Sequence, residues 1–345
     1  MENSNIIGGE FDVDLQNLQY IKSDNGFMEG VYKYSSGRSA LYYIFLDIQK
    51  RYGITTVYLP NYLCSSVVIA AEKSGMNVIF YQLNNQLEID SDKLPMQPDE
   101  KAAIMLINYF GLKNLSKQIS VVHDVSKNVV VIEDDVQAFY EFNKSDLTAD
   151  YKFTSLRKTF ACPDGGIVKT NNDLANVPNM NKFHQYKLAG SILKSLRKPE
   201  YYDDDVYLHL LEKGELQIDD EIGTGMSEIS QKIIKKIDFQ RIAYIRQRNA
   251  KLIVDGLKTL GVDTILPISD DCIPLFIPIW LDDRNKVRKQ MFQNNIFCPV
   301  HWPLEGMNVQ KGAEMAEHEM SIIIDQRYTN KEMDFILTTL EKALK

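Results

Sequence analysis

The 345-residue chain has no long apolar run, no clustered positive charge and only four cysteines. Each absence removes a class of protein. No stretch approaches the roughly twenty apolar residues that a membrane-spanning helix needs. The formal net charge of −8 argues against a general nucleic-acid binder, because attraction to phosphates needs grouped Lys and Arg. Cys64, Cys162, Cys272 and Cys298 lie far apart with no CxxC pair, which speaks against a disulfide or metal scaffold and fits a reducing cytoplasm. The opening MENSNIIGGEFDVDL has neither a basic start nor an apolar centre, so it does not read as a secretory signal. No GxGxxG follows the first apolar strand, which sets a nicotinamide site aside. There is no internal repeat and no low-complexity tract. What remains reads as a soluble cytoplasmic protein of enzyme size, too long for one core and so expected to hold two domains.

From about residue 37 helical and apolar β patterns alternate. SALYYIFLDIQKRYG reads as a helix stopped by Gly53, TTVYLP as a buried strand, and CSSVVIAAEKSG as a second helix closed by glycine. NVIFYQL, AAIMLINYF and VVVIED follow as further strands. This order predicts an α/β fold, a mostly parallel sheet flanked by helices, with ligands at the carboxyl ends of the strands. Residues 171–225 read as polar and irregular, with a solvated acidic run in YYDDDVY. A long helical segment is expected from about Ser227 to Leu260, with Ile229, Ile233, Ile237, Ile242 and Ile245 near helical spacing. Beyond Gly261, CIPLFIPIWL, NKVRKQMFQNN, IFCPV and NKEMDFILTTLEKAL predict strand, helix, strand and helix of a small α+β domain. The expected division is 1–235 for a large domain and 236–345 for the linking helix and small domain.

Four groups fall at the predicted strand ends and helix starts. In SSGRSA, Gly37, Arg38 and Ser39 open a helix, which reads as an ordinary N-cap or as a phosphate cradle of backbone N–H groups. In VVVIEDDVQAF an apolar strand runs into Glu133, Asp134 and Asp135, then Gln137; a carboxylate there needs solvent or a cation. One such cation is a protonated pyridine nitrogen. A metal is the competing partner, but no histidine or second acidic group completes a ligand set. NYFG places Asn108 and Tyr109 at another strand end, with Tyr109 fitting core packing. In FTSLRKTFACPDGG, Lys158 stands a little over twenty residues beyond Asp134, beside Arg157 and near Ser155. A lysine amine condenses with an aldehyde when burial or neighbouring cations lower its proton affinity. Helix-start cradle, strand-end aspartate and lysine before glycines, in that order, point to pyridoxal 5'-phosphate.

The chain resembles the DegT/DnrJ/StrS-type sugar aminotransferases, pyridoxal-phosphate enzymes of fold type I. The residues carrying the likeness are Ser36-Gly37-Arg38-Ser39-Ala40-Leu41, VYLPNYLCSSVVIAA, Phe110-Gly111, Glu133-Asp134-Asp135-Val136-Gln137-Ala138, SLRKTFACPDGG, Gly225-Met226-Ser227-Glu228-Ile229 and HWPL at 301–304. The resemblance implies transamination from an amino acid, usually glutamate, to a keto group of a nucleotide-linked sugar, by a homodimer. It implies that Lys158 binds the cofactor aldehyde, Asp134 pairs with the pyridinium nitrogen and Gln137 lies near the phenolic oxygen. Gly37, Arg38, Ser39 and Ser155 would hold the phosphate, and Tyr62 or Cys64 the ring face. The chain departs from the family at Arg38, where threonine is usual, and at Gly223-Thr224-Gly225, where an asparagine and an arginine are common. The missing asparagine reaches a phosphate in the family, and Arg38 is expected to replace it. Two other readings are other chemistry with this cofactor, such as sugar dehydration, and binding without turnover; Lys158 argues against the dehydratases, which carry histidine there.

Overall fold

The computed structural model describes residues 6–13, 24–144, 147–177, 179–196, 205–302 and 313–345. The strands, in chain order, are β1 (Ile7–Gly8), β2 (Tyr32–Tyr34), β3 (Thr56–Pro60), β4 (Asn77–Tyr81), β5 (Ala103–Ile107), β6 (Val130–Asp134), β7 (Tyr151–Ser155), β8 (Gly166–Thr170), β9 (Phe276–Trp280), β10 (Ile296–Phe297) and β11 (Glu319–Ile323). Seven of them form one sheet in the order β2-β8-β7-β6-β5-β3-β4. The run from β4 through β7 is parallel, and β8 and β2 close it antiparallel. The parallel strands β5 and β6 are buried at every residue, as strands covered on both faces must be. Their carboxyl ends, with that of β7, share one edge of the sheet, and the site lies there.

Helix Gly37–Tyr52 packs Ala40, Leu41, Ile44, Phe45 and Ile48 on the sheet and stops at Gly53, whose φ of 68° supplies the left-handed turn. Helix Ser65–Ser74 ends the same way at Gly75. A second core lies in the C-terminal part, where antiparallel β9 and β11 pack against helices Phe239–Leu260, Arg284–Gln293 and Asn330–Leu344. Ile7 belongs to that core, because β1 pairs with β10, so the N-terminal residues cross back to the far end of the chain.

Two expectations are corrected. The segment expected to be irregular holds two packed helices, Phe183–Ser195 and Asp205–Gln217. Their close approach needs glycine: a Cβ on Gly190 would lie 2.9 Å from Leu211, and one on Gly214 2.9 Å from Lys187. Isolated glycines count against a helix in sequence, while here they permit the packing. Of the acidic run, Asp205 opens the second helix, and Asp203 and Asp204 lie outside the described residues. The expected single helix from Ser227 is two, Glu228–Ile234 and Phe239–Leu260. Asp238 breaks it by accepting a hydrogen bond from the Arg241 N–H, a side-chain cap that competes with helix continuation.

Candidate active site

A cavity of about 240 Å³ opens at the carboxyl ends of β5, β6 and β7 and the start of helix Gly37–Tyr52. Gly37, Arg38, Cys64, Asp134, Gln137, Ser155 and Lys158 all line it.

Strand alternation decides which acidic residue faces the cavity. Asp134 turns into it, while Glu133 and Asp135 turn to the other side and meet buried Lys152 at 3.2 and 3.7 Å. Asp134 accepts one hydrogen bond from the Val136 N–H at 2.9 Å and has no ion pair among the described residues. Burial of this partnerless carboxyl pushes its pKa up to about 7. Gln137 uses its carbonyl oxygen to accept from the Phe110 N–H at 2.8 Å, which leaves its amide donors for the cavity.

Lys158 ends a 3₁₀ turn, Leu156–Lys158, directly after β7. Lys158 is exposed on the cavity that it lines, with the protein packed densely around it. Burial, then the charges of Arg157 and Arg38, lower its proton affinity; Glu215 works against them. Lys158 makes no hydrogen bond or ion pair among the described residues, whereas its neighbours are tightly held. Arg157 grips Glu215 with two hydrogen bonds of 2.8 and 2.9 Å, and Lys187 reaches the same carboxylate at 2.8 Å. Burial opposes ionisation of Glu215, but Arg157 and Lys187 outweigh it and hold the carboxyl well below its usual range. Arg38 points toward Glu215 and Asp219, at 3.7 and 3.2 Å.

The turn behind the lysine is anchored by Asp164. Its buried carboxylate accepts from the Ser227 N–H and Oγ–H, the Ser230 hydroxyl and the Asn181 amide. Gly165 has a φ of 129°, and a Cβ on Gly166 would overlap the Ser36 carbonyl, so this glycine pair brings the lysine turn against the start of helix Gly37–Tyr52. Ser36 caps that helix by accepting from the Ser39 N–H at 3.1 Å. Gly37 and Arg38 keep backbone donors at its first turn.

Two predicted residues are not brought to the cavity wall. Ser39 is fully buried and shares hydrogen bonds with Ser35 and the Gly223 N–H, so it ties down the 223 loop. Tyr62 stacks on Tyr109, packs on Trp302 and donates to the His301 carbonyl. Cys64, two residues on, takes the wall position. Sequence reasoning missed Glu215, which sits in the stretch taken as irregular, and His301 and Trp302, which line the cavity from the HWPL element. Pro303 and Leu304 of that element lie outside the described residues.

No protein-family model matches the chain, and no curated protein sequence is significantly similar to it. Solved structures do match. PseC of Helicobacter pylori, an aminotransferase involved in pseudoaminic acid biosynthesis, is 12% identical over 98% of this chain and 99% of its own, with a TM-score of 0.71. Spr1654 of Streptococcus pneumoniae in its PMP form is 13% identical over 97% and 92%, with a TM-score of 0.68. The aminotransferase TlmJ of Streptoalloteichus hindustanus is 13% identical over 97% and 92%, with a TM-score of 0.66. The protein therefore has, over nearly its whole length, the fold-type I architecture of these aminotransferases.

Proposed function

We propose that the protein is a pyridoxal-phosphate-dependent aminotransferase that carries an amino group from an amino acid, glutamate first, to the keto group of a nucleotide-linked sugar. One observation carries this reading: a lysine with lowered proton affinity and a buried carboxyl, neither of them in an ion pair among the described residues, line one cavity of this fold. The residues present fit the cofactor. The Asp134 carboxylate suits a pyridinium, the Gln137 amide suits a phenolic oxygen, and helix-start N–H groups with Arg38 and Ser155 suit a phosphate. Spr1654 has also been solved in a PLP form, which supports the same assignment.

Pyridoxal phosphate, when bound, supplies an electron sink for negative charge at the carbon bearing the amino group. The residues do the rest. Lys158, whose charge burial and Arg157 disfavour, would offer a nucleophilic Nζ to a carbonyl carbon. When free, the same Nζ would act as the base that takes the proton from the donor carbon and as the acid that gives it back. Asp134 ionises fully against a cation and holds it charged. Cys64 and Val136 line the same cavity, and Arg38, which lies 3.7 Å from Glu215 and 3.2 Å from Asp219, would help to hold a phosphate. We also infer a homodimer, supported by exposed Val206, Leu208 and Leu216 on helix Asp205–Gln217.

The test is optical and chemical. With pyridoxal phosphate the protein should turn yellow, borohydride should fix the cofactor's mass on Lys158, and glutamate should shift the absorbance. Mass detection of aminated product across a panel of nucleotide-linked keto sugars identifies the acceptor. A Lys158→Ala protein that still turned over at near wild-type rate would sink the reading.

A further inference from the structure

The roles above leave one ionisable group of the cavity without a task. His301 lines the cavity, and its ring is set by residues of β11. Its Nδ1 lies 3.0 Å from the Ser321 hydroxyl oxygen, and Ser321 donates its single hydrogen to Glu319 Oε1 at 2.5 Å. Glu319 Oε2 accepts from the His301 backbone N–H at 2.6 Å, and Oε1 is 3.6 Å from Nδ1. Glu319 and Ser321 are both 0% exposed. Phe110 and Phe276 confine the imidazole, with ring centroids at 5.6 and 5.3 Å.

Proton bookkeeping fixes the tautomer. Ser321 has spent its hydrogen on Glu319, so toward His301 it can only accept, and Nδ1 must carry the hydrogen. In the neutral ring Nε2 then holds a lone pair. Nε2 makes no hydrogen bond with any described residue, and His301 is one of the residues that line the cavity. Glu319 adds a second argument. Its carboxylate has no lysine or arginine in ion-pair contact among the described residues; Arg284 reaches only the Glu319 backbone carbonyl, at 3.2 Å. A fully buried carboxylate with no cation in contact is costly; Arg288 acts on Glu319 only through space, and the His301 ring is the nearest group able to carry a compensating charge.

We propose that His301 is a proton acceptor for the ammonium group of the incoming amino donor, with Ser321 and Glu319 as the positioning residues that set its tautomer and balance its charge. This rests on the aminotransferase reading. An amino acid arrives near neutral pH with its nitrogen protonated and has no lone pair for attack. The ammonium N–H bond breaks, its electron pair stays on nitrogen, an Nε2–H bond forms and the ring becomes cationic. Among the described residues the titratable and charged groups around this cluster are Glu319, Arg284, Arg288 and Tyr62; burial and then Glu319 hold Tyr62 well above its ordinary pKa, so it stays neutral throughout.

The experiment uses the cofactor-loaded protein with ¹⁵N-labelled histidine; the chain has five, and His301→Gln identifies the relevant signals. Wild type should show the Nδ1–H tautomer, and Glu319→Gln should lower the proton affinity of His301 by about tenfold or more. Ser321→Ala, a small change in a buried strand, should mix the tautomers without unfolding the protein. In single turnovers with glutamate, His301→Gln should be slowed about 100-fold at neutral pH. That deficit should shrink at high pH, where the donor arrives partly deprotonated. A His301→Gln deficit that is equal at every pH, or a His301 titration unmoved by Glu319→Gln, overturns the proposal. A wild type that captures the cofactor on Lys158 yet accepts no amino donor overturns the function itself; the tautomer and titration are read in the same sample and judge the relay separately.

Discussion

Asp134 offers a quantitative test that needs no substrate. In the cofactor-free protein its carboxyl has a pKa of about 7 against an ordinary 3.8, because it is buried with only the Val136 N–H to support its charge. Between these two values the unfolded chain has released the proton and the folded protein has kept it. The unfolded state then binds fewer protons, so stability falls as pH rises from about 4 to about 7 and stays reduced above. A gap of about 3 units at about 1.4 kcal/mol each sets the upper limit near 4 kcal/mol, and water in the adjacent cavity brings the expectation to about 2–4 kcal/mol. Asp134→Asn removes the titration and keeps the oxygen that accepts from Val136. Urea unfolding of wild type and Asp134→Asn, both free of cofactor, at pH 4.5 and pH 8, isolates the effect from every other titrating group. The variant should gain on wild type by that amount across the interval. Pyridoxal phosphate should restore wild type selectively at pH 8 by supplying the missing cation. Parallel stability profiles for the two proteins would show that Asp134 does not carry the strain assigned to it.

Other outcomes follow from the same geometry. Arg38→Ala should weaken cofactor binding by about ten- to a hundredfold, the loss of one charge-assisted contact, measured by equilibrium absorbance titration; unchanged affinity removes Arg38 from the phosphate site. Glu215→Gln leaves Arg157 and Lys187 without their shared carboxylate. Because Glu215 is 40% exposed, solvent screens much of the loss, and about 1–2 kcal/mol of stability is expected by urea denaturation. The same variant should lower the proton affinity of Lys158 further, seen as faster capture of the cofactor aldehyde at neutral pH. Gly166→Ala should fail to fold or lose several kcal/mol, since its methyl group would occupy the space of the Ser36 carbonyl, and circular dichroism will register it.

Local chemistry was legible wherever a residue's task is local. Gly53 and Gly75 announced helix ends, the apolar runs announced β3 to β6, and the strand-end position of Asp134 and the lysine before the Pro-Asp-Gly-Gly turn marked the cavity. Long-range tasks were not legible. The Ser39 hydroxyl, besides its bond with nearby Ser35, accepts from the Gly223 N–H, a partner 184 residues away that the sequence does not announce. Tyr62 donates to the His301 carbonyl, 239 residues away, a contact equally invisible in the sequence. The helix Asp205–Gln217, which brings Glu215 to Arg157, was hidden because Gly214 reads as a breaker until the partner helix is placed against it.

The order of elements and the strand-end positions of Lys158 and Asp134 follow from the chain alone, since periodicity, caps and turn residues act over a few positions. Which of three consecutive acidic residues meets the cavity, which arginine pairs with which carboxylate, and whether His301 has a buried counter-charge were decided by tertiary packing. Charge and burial depend on distance in space, and sequence separation carries no measure of that distance.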